Sequence, residues 1–261
     1  MKKMWAIIHK EWTEVLNNKL IMYTVLLPPV LFLVISVAML YFTGQGVDVD
    51  PAEVEMYRRL SPTLTLLPAT EVMQIMLAQQ FLFMFLMMPL IVPLTIASFS
   101  IIGEKQQRSL EPLLATPVTV SQLLLGKVIA AVIPAVFVTW LTFAIFAFAT
   151  KLLTNPTVFH SLVNNMWLLA MSIIAPLFCI LSVSLGVMIS SRVNDTRVAQ
   201  QIGGMIVLPV MGLGLLQTAG KILFTLRTFA LGAMLVMLAD IIVFYLSVKA
   251  FQRETILTRW K

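Results

Sequence analysis

Long hydrophobic runs alternate with short polar segments along this chain, and the runs are long enough to cross a membrane. An α-helix needs about 20 apolar residues to span a hydrocarbon core of about 30 Å. The runs are continuous rather than alternating, and lipid offers backbone amides no partner, so they predict helices and not barrel strands. The predicted spans are 20–42, 81–102, 128–150, 166–189, 202–219 and 229–248.

A different pattern precedes the first span, in residues 1–19. Trp5, Ile8 and Trp12 recur at helical spacing, with charged residues between them. That periodicity predicts an amphipathic helix lying in the membrane interface, a depth that suits tryptophan. We call it the elbow helix, and we interpret it as an anchor for the first span rather than as a catalytic element.

The segment between the first two spans, residues 43–80, is too short for a separate enzymatic domain. Prolines and glycines near its start favour irregular structure. Its last part, ATEVMQIMLAQQ, contains helix-forming residues. That part is interpreted either as an interfacial helix leading into the second span or as a simple extension of the span.

Composition also indicates a membrane protein. Hydrophobic residues occupy 59% of the 261 positions and charged residues only 11%, whereas roughly 25% of residues are charged in an average soluble domain. Together with the continuous apolar runs, this predicts an all-α polytopic protein with one transmembrane domain, residues 1–261.

The positive charges are unevenly divided between the two sides of the predicted spans. If both chain ends face the cytoplasm, 13 of the 18 lysines and arginines lie inside. The positive-inside rule therefore favours a multi-pass protein of the cell membrane with both termini cytoplasmic. Residues 104–127 then form a cytoplasmic loop and residues 249–261 a cytoplasmic tail. The basic residues are spread over several loops, so we expect no nucleic-acid partner.

The sequence does not suggest a catalytic or metal site. His9 and His160 fall on opposite sides in this topology, and no combination of serine, histidine and aspartate supports hydrolysis. Cys179, the single cysteine, lies inside an apolar run and is interpreted as a packing residue. We therefore expect no catalytic residue, metal or cofactor in this chain.

The sequence predicts two helical pieces in the 104–127 loop, the second of which continues into the third span. Residues 106–115 carry leucines on a short, half-apolar helix, which Thr116 and Pro117 interrupt before the third span. Such a helix needs a cover, which could be lipid, the rest of this chain or a groove in a soluble partner. Lys127 ends the loop and is interpreted as a charge flanking the membrane.

The residues of this loop resemble the signature of type-2 ABC exporter permeases. In that signature an acidic residue ends the second span and is followed by a leucine and glutamate core, a TP break and LLLGK. The chain departs from the pattern at Arg108 and Ser109, where family members usually have glycine and threonine. The matching residues are Glu104, SLEPLLATPV at 109–118 and LLLGK at 123–127.

The resemblance implies that the loop is a coupling helix that docks into a cleft of a separate ABC ATPase subunit. Its leucines would fill the cleft, its acidic side chains would pair with groups on the rim, and its proline would fix the turn. The implied docking residues are Glu104, Ser109, Leu110, Glu111, Leu113, Leu114, Thr116 and Pro117. The chain has no GxxxxGK[ST] phosphate loop, so ATP and magnesium would bind the partner, and this chain would not be an enzyme by itself.

The resemblance also implies a second permease subunit, in a homodimer or heterodimer embedded in the lipid bilayer. The substrate path would run between the two halves. Sparse charge in the spans favours a drug-like or lipid-like substrate. Because the family resembled also includes cation exporters, a cation is the alternative substrate. The alternatives are a secondary transporter driven by an ion gradient and a non-transporting membrane anchor subunit.

Asp240 is an acidic residue well inside a predicted span. Inserting a central aspartate costs about 2.5–3.5 kcal/mol, so its side chain should face the bundle or a cavity. It is interpreted either as a contact on the substrate path or a gate, or as a hydrogen-bonding partner of a serine or threonine on a neighbouring helix. A proton-driven carrier would usually have a chain of such groups, which this sequence lacks.

Overall fold

The computed structural model describes residues 2–45, 50–61, 64–107, 120–218 and 225–250. Among these residues the regular structure is helical, without strands. Six helical segments in this part are long and apolar enough to cross a membrane, which confirms the predicted all-α fold with six spans. They are Lys19–Gly44, Ala69–Gln106, Ser121–Leu153, Pro156–Ser190, Thr196–Gln217 and Leu226–Lys249.

Several spans consist of two helices in succession, and short helices lie between spans. The helices are α1 (Lys2–Asn17), α2 (Lys19–Gly44), α3 (Pro51–Leu60), α4 (Ala69–Phe85), α5 (Met88–Gln106), α6 (Val120–Leu153), α7 (Pro156–Leu162), α8 (Asn165–Leu169), α9 (Ala175–Ser190), α10 (Thr196–Gly204), α11 (Val207–Thr218) and α12 (Leu226–Ala250).

A corner at Asn18 separates the elbow helix α1 from the first span α2. The side-chain oxygen of Asn18 accepts hydrogen bonds from the amides of Leu20 and Ile21, at 3.1 and 3.3 Å. Asparagine is a preferred N-cap because its side chain satisfies amides that have no partner within the helix. The cap therefore starts a new helix at this position instead of continuing α1.

The second span lies at the centre of the bundle. Its most apolar window is 83% buried, against 22% for the first span and 11% for the sixth. The span consists of α4 and α5, joined at Leu86 and Met87. Pro89 follows the joint and cannot donate a backbone hydrogen bond, which favours a break there. Residues 69–80 are part of α4. Of the two alternatives considered for this segment, the structure therefore shows an extension of the second span and not a separate interfacial helix.

A π-helical turn at Ala170–Ile174 interrupts the fourth span between α8 and α9. Pro176 follows this turn and removes one donor from the helical ladder. The carbonyl of Met171, inside the turn, accepts a hydrogen bond from Nε1 of Trp140 at 2.8 Å. The third span therefore supplies a donor where the ladder of the fourth is disturbed.

Glycines allow the fifth span to approach the second closely. A Cβ atom on Gly203 would collide with the side chain of Leu94, and one on Gly214 would collide with the ring of Phe83. A Cβ on Gly212 would meet no atom of the described residues within 4 Å. Gly203 and Gly214 thus serve helix packing within this chain.

The apolar core near the elbow helix joins four spans. It combines side chains of α2, α5, α6 and α9, among them Val25, Ile101, Leu124 and Val183. Cys179 is fully buried in the same cluster, the packing position predicted for it. This core holds the last turns of α5 beside α1, α6 and α9. We call the end of the bundle that carries α1 and the last turn of α5 the elbow end.

Candidate functional site

Four charged side chains meet where the elbow helix packs against the second and third spans. Lys10 and Glu11 belong to α1, whereas Glu104 lies near the end of α5 and Lys127 near the start of α6. Nζ of Lys127 is 2.5 Å from Oε1 of Glu11 and 2.9 Å from Oε2 of Glu104. Nζ of Lys10 is 2.5 Å from Oε1 of Glu104. We call these four residues the charge cluster.

Three of the four side chains of the charge cluster are buried, the exception being Lys10, and the cluster is electrically balanced. The side chains of Lys127, Glu11 and Glu104 are only 3%, 4% and 4% exposed. Two ammonium groups alternate with two carboxylates, so the formal charge of the cluster is zero. Lys127 also donates a hydrogen bond to Oγ of Ser100 at 2.6 Å. This pairing offsets the several kcal/mol that it costs to take each ion out of water.

The pKa values of the two α1 groups reflect these partners. Burial raises the pKa of the Glu11 carboxyl, but the charge and hydrogen bond of Lys127 outweigh burial, and the pKa lies below its usual value of 4.5. Burial lowers the pKa of Lys10, but Glu104 outweighs burial, and the pKa lies above its usual value of 10.5. A lowered acid pKa stabilises the fold above 4.5, and a raised lysine pKa stabilises it below 10.5, so both contributions are fully present between these pH values.

The elbow helix is seated on the first turns of α6. Nε1 of Trp12 donates a hydrogen bond to the carbonyl of Ala130 at 2.9 Å. Gly126 provides room for the seat, because a Cβ atom there would lie 3.0 Å from Cγ2 of Ile7. Ile8, on the same helix, is 4% exposed. Polar and apolar contacts therefore fix α1 to the beginning of the third span.

The last turn of α5 is also tied to the fourth span. Nζ of Lys105 donates to the carbonyls of Ser191 and Val193, each at 2.9 Å. The side-chain nitrogen Nε2 of Gln106 donates a hydrogen bond to the carbonyl of Asn194 at 3.3 Å. These acceptors belong to the segment that connects α9 to α10. The end of α5 is thus connected to α1 and α6 through Glu104 and to the end of α9 through its neighbours.

The predicted docking residues other than Glu104 lie outside the described residues. They are Ser109, Leu110, Glu111, Leu113, Leu114, Thr116 and Pro117. The structure does describe both ends of the segment that carries them, Gln107 and Val120. Glu104 lies shortly before one end and Lys127 shortly after the other, so the charge cluster bridges the two ends.

The structure differs from two expectations within the cluster. The resemblance implies a rim contact with a partner for Glu104, but this carboxylate is buried and binds lysines of its own chain. Lys127 is interpreted from the sequence as a flanking charge, yet it is nearly inaccessible because Glu11 and Glu104 surround it. The signal that could have revealed the cluster is Glu11, which shares the apolar face of the elbow helix with Ile8 and Val15.

Asp240 lies apart from the charge cluster, on α12. Its side chain is buried, and neither carboxylate oxygen has a hydrogen-bond partner among the described residues. The serine or threonine partner considered from the sequence is therefore not observed in that part of the chain. The helix α12 that carries Asp240 packs against α9, which carries Cys179.

The described residues contain no group of three or more histidine, cysteine or acidic side chains that could hold a metal ion. In the charge cluster, Lys127 contacts the carboxylates of Glu11 and Glu104 and donates a hydrogen bond to Ser100, so its ammonium group serves as an ion-pair partner. What the geometry of the cluster provides is a rigid joint between three segments of the chain.

Comparison with known proteins assigns this architecture to a family. The family described as ABC-2 family transporter protein matches residues 5–244, which include most of the elbow helix, the charge cluster and all but the last residues of the sixth span. The curated proteins yield no match. Because the family match covers most of the 261 residues, the chain belongs to the ABC-2 family of transporter proteins.

Proposed function

We propose that the chain is the permease subunit of an ATP-driven ABC exporter, coupled to a separate ATPase through residues 104–127. Family membership supports the transporter assignment. The observation that carries the coupling is the charge cluster, because Glu104 and Lys127 join the two ends of this segment at 2.9 Å. A docked partner that moved the segment would move both ends together.

We propose that both termini are cytoplasmic, an orientation that the same geometry supports. The elbow helix, Gln107 and Val120 lie at one end of the bundle, because Lys10 binds Glu104 and Lys127 binds Glu11. The uneven distribution of lysines and arginines favours the cytoplasm for this end. ATP is available there, so a partner ATPase would reach the segment without crossing the membrane.

In the proposed mechanism, the coupling helix expected within 106–115 follows the opening and closing of the ATPase cleft. Leu110, Leu113 and Leu114 would occupy the cleft, as the resemblance implies, and Glu111 would contact its rim. Glu104 acts inside the chain, where it anchors the segment to α1 and α6. Such packed elements with two discrete arrangements are the usual carriers of conformational change.

Leu113→Asp tests the docking helix. We expect the variant to bind the ATPase about 30-fold more weakly, because a charge at the centre of an apolar interface costs about 2 kcal/mol or more. The measurement compares binding and ATP hydrolysis of the purified ATPase with wild-type and variant permease in detergent.

Leu66→Asp is the matched control for this experiment, since Leu66 is 94% exposed outside the proposed interface. It should bind and stimulate the ATPase as the wild type does. A wild-type chain that neither binds an ABC ATPase nor changes its turnover would refute the permease proposal. If binding occurs but Leu113→Asp has no effect, the docking helix is wrongly assigned.

Two other functions remain as alternatives, a secondary transporter and a non-transporting anchor. A secondary transporter would move substrate in vesicles without ATP when an ion gradient is imposed. An anchor would bind its partner without any transport. Family membership and the bridged segment favour the permease over both.

We also propose that Asp240 lies on the substrate path or forms part of a gate. Its support is the buried carboxylate without a hydrogen-bond partner in the described part of the chain. A polar group left in that state is costly in lipid, so a conformational change or a bound substrate would satisfy it. A second permease subunit would complete the path between the two halves.

Labelling with dicyclohexylcarbodiimide, an apolar reagent for carboxyl groups in membranes, tests the role of Asp240. We expect severalfold different labelling of Asp240 between the nucleotide-free and ATP-bound complex, because a gate changes its exposure between the states. Peptide mass spectrometry measures the extent, and Asp240→Asn identifies the labelled site. Equal labelling in both states would make Asp240 a static structural residue.

A further inference from the structure

A cavity of about 720 Å³ lies beside the charge cluster, between the corner of α1 and α2 and the last turns of α5. One wall contains Asn17, Lys19 and Ile21, and the other contains Phe99 and Gln107. Thr196, at the start of α10, also contributes to the lining. The volume falls within the range of about 300–1,000 Å³ that is usual for small-molecule sites.

Both walls of the cavity change from polar to apolar in the same direction. Along α2 the lining passes from Lys19 to Leu20 and Ile21. Along α5, followed back from its end, it passes from Gln107 to Ser100 and then to Phe99. The polar part therefore faces the elbow end and the apolar part faces the interior of the spans. A ligand that matches both parts must be an amphiphile.

The rim of the cavity offers one charge of each sign. Glu14 has a 48% exposed side chain, and its contact with Lys10 at 3.4 Å is a surface pair of little energetic weight. Lys19 is exposed on the opposite side of the corner at Asn18. Glu11 and Glu104 also line the cavity, but lysines of the charge cluster neutralise them. A headgroup with both an ammonium and a phosphate complements this rim.

We propose that the cavity binds one zwitterionic phospholipid of the bilayer. Its ammonium group contacts Glu14, its phosphate contacts Lys19, and the first carbons of its chains pack against Ile21 and Phe99. The bound lipid fills the space beside the charge cluster and shields the buried ion pairs from water. The argument for this site does not use the proposed ATPase coupling and does not require the lipid to be a transported substrate.

Gly103 provides a way to fill the cavity from inside. It lines the cavity, and a Cβ atom on it would meet no atom of the described residues within 4 Å. Gly103→Leu therefore places a side chain in the ligand volume without a backbone collision. Gly232→Leu is the matched control, because Gly232 is equally open but lies on α12, away from the cavity.

The experiment measures lipid bound to the full chain by native mass spectrometry after titration with phosphatidylethanolamine in detergent. We expect one tightly bound lipid on the wild type and on Gly232→Leu, and about tenfold weaker binding to Gly103→Leu, equivalent to roughly 1.4 kcal/mol of lost contact. Wild-type protein without a tightly bound lipid would overturn the proposal, as would equal binding to both glycine variants.

A charge variant tests the headgroup assignment without changing the volume of the cavity. Glu14→Gln removes the rim carboxylate, so it should weaken binding of phosphatidylethanolamine relative to anionic phosphatidylglycerol. An unchanged ratio of the two affinities would refute the contact with Glu14. If Gly103→Leu fails to fold, Glu14→Gln alone decides the proposal, and neither result bears on binding of the ATPase.

Discussion

Replacing Lys127 by methionine is expected to lower the free energy of unfolding by about 3–5 kcal/mol, the usual cost of removing one partner from a buried ion pair. Lys127 is 3% exposed and contacts Glu11 and Glu104 within 3 Å. Its loss leaves Glu11 without its ammonium partner and Glu104 with Lys10 alone. Chemical unfolding in detergent, followed by far-ultraviolet circular dichroism, measures the change.

Two further variants show whether the stability lost in Lys127→Met comes from the unpaired buried carboxylate or from lost side-chain packing. Lys151→Met makes the same substitution at an exposed lysine of the same helix, and its effect should stay within about 0.5 kcal/mol. Glu11→Gln added to Lys127→Met removes the stranded carboxylate and leaves the Lys10 and Glu104 pair intact, so it should recover much of the loss. No recovery in the double variant would contradict the electrostatic explanation.

Replacing Gly126 by leucine is expected to displace the elbow helix and to cost about 1–3 kcal/mol, the typical penalty of overpacking. A Cβ atom at this position lies 3.3 Å from Cβ of Ile7, and no side-chain rotation can move that atom. Displacement of α1 would also break the hydrogen bond from Trp12 to the third span. Limited trypsin digestion should then cut faster after Lys10, whose ammonium group the cluster holds in the wild type.

Gly232→Leu serves as the control for that experiment, because it adds the same side chain in open space. Its digestion rate and stability should match those of the wild type. Shortening the opposing side chain by Ile7→Ala in the Gly126→Leu background should restore part of the protection, since the two residues are in direct contact. Wild-type protection of Lys10 in Gly126→Leu would show that α1 does not depend on this seat.

The spans could be predicted from the sequence because the membrane imposes a length and an apolar composition on each helix. The breaks within the spans and the exact residues at which they begin could not be predicted in the same way. Pro89 is visible in the sequence and favours a break, but the sequence does not show that the second span divides at Leu86 and Met87. The helix over 69–80 could be predicted, whereas its continuity with the span could not.

Glu11 on the apolar face of the elbow helix indicates a buried charge, but the pairing within the charge cluster could not be predicted because its partners are far apart along the chain. Lys10 and Glu104 are separated by 94 positions, and Glu11 and Lys127 by 116. Helical spacing relates only residues three or four apart, so it carries no information about such pairs. The family resemblance identified Glu104 as important, but only the fold shows that its partners belong to the same chain.

In the proposed coupling, the bridge between the two ends of the 104–127 segment would assign partner choice and force transmission to different residues. Glu104 and Lys127 hold together the two places where the segment leaves and re-enters the bundle. The intervening residues would then be the part that can be adapted to a different ATPase, while this ion pair stays the same. A chimaera of two permeases should therefore exchange only residues between Glu104 and Lys127, so that the recipient keeps its own ion pair.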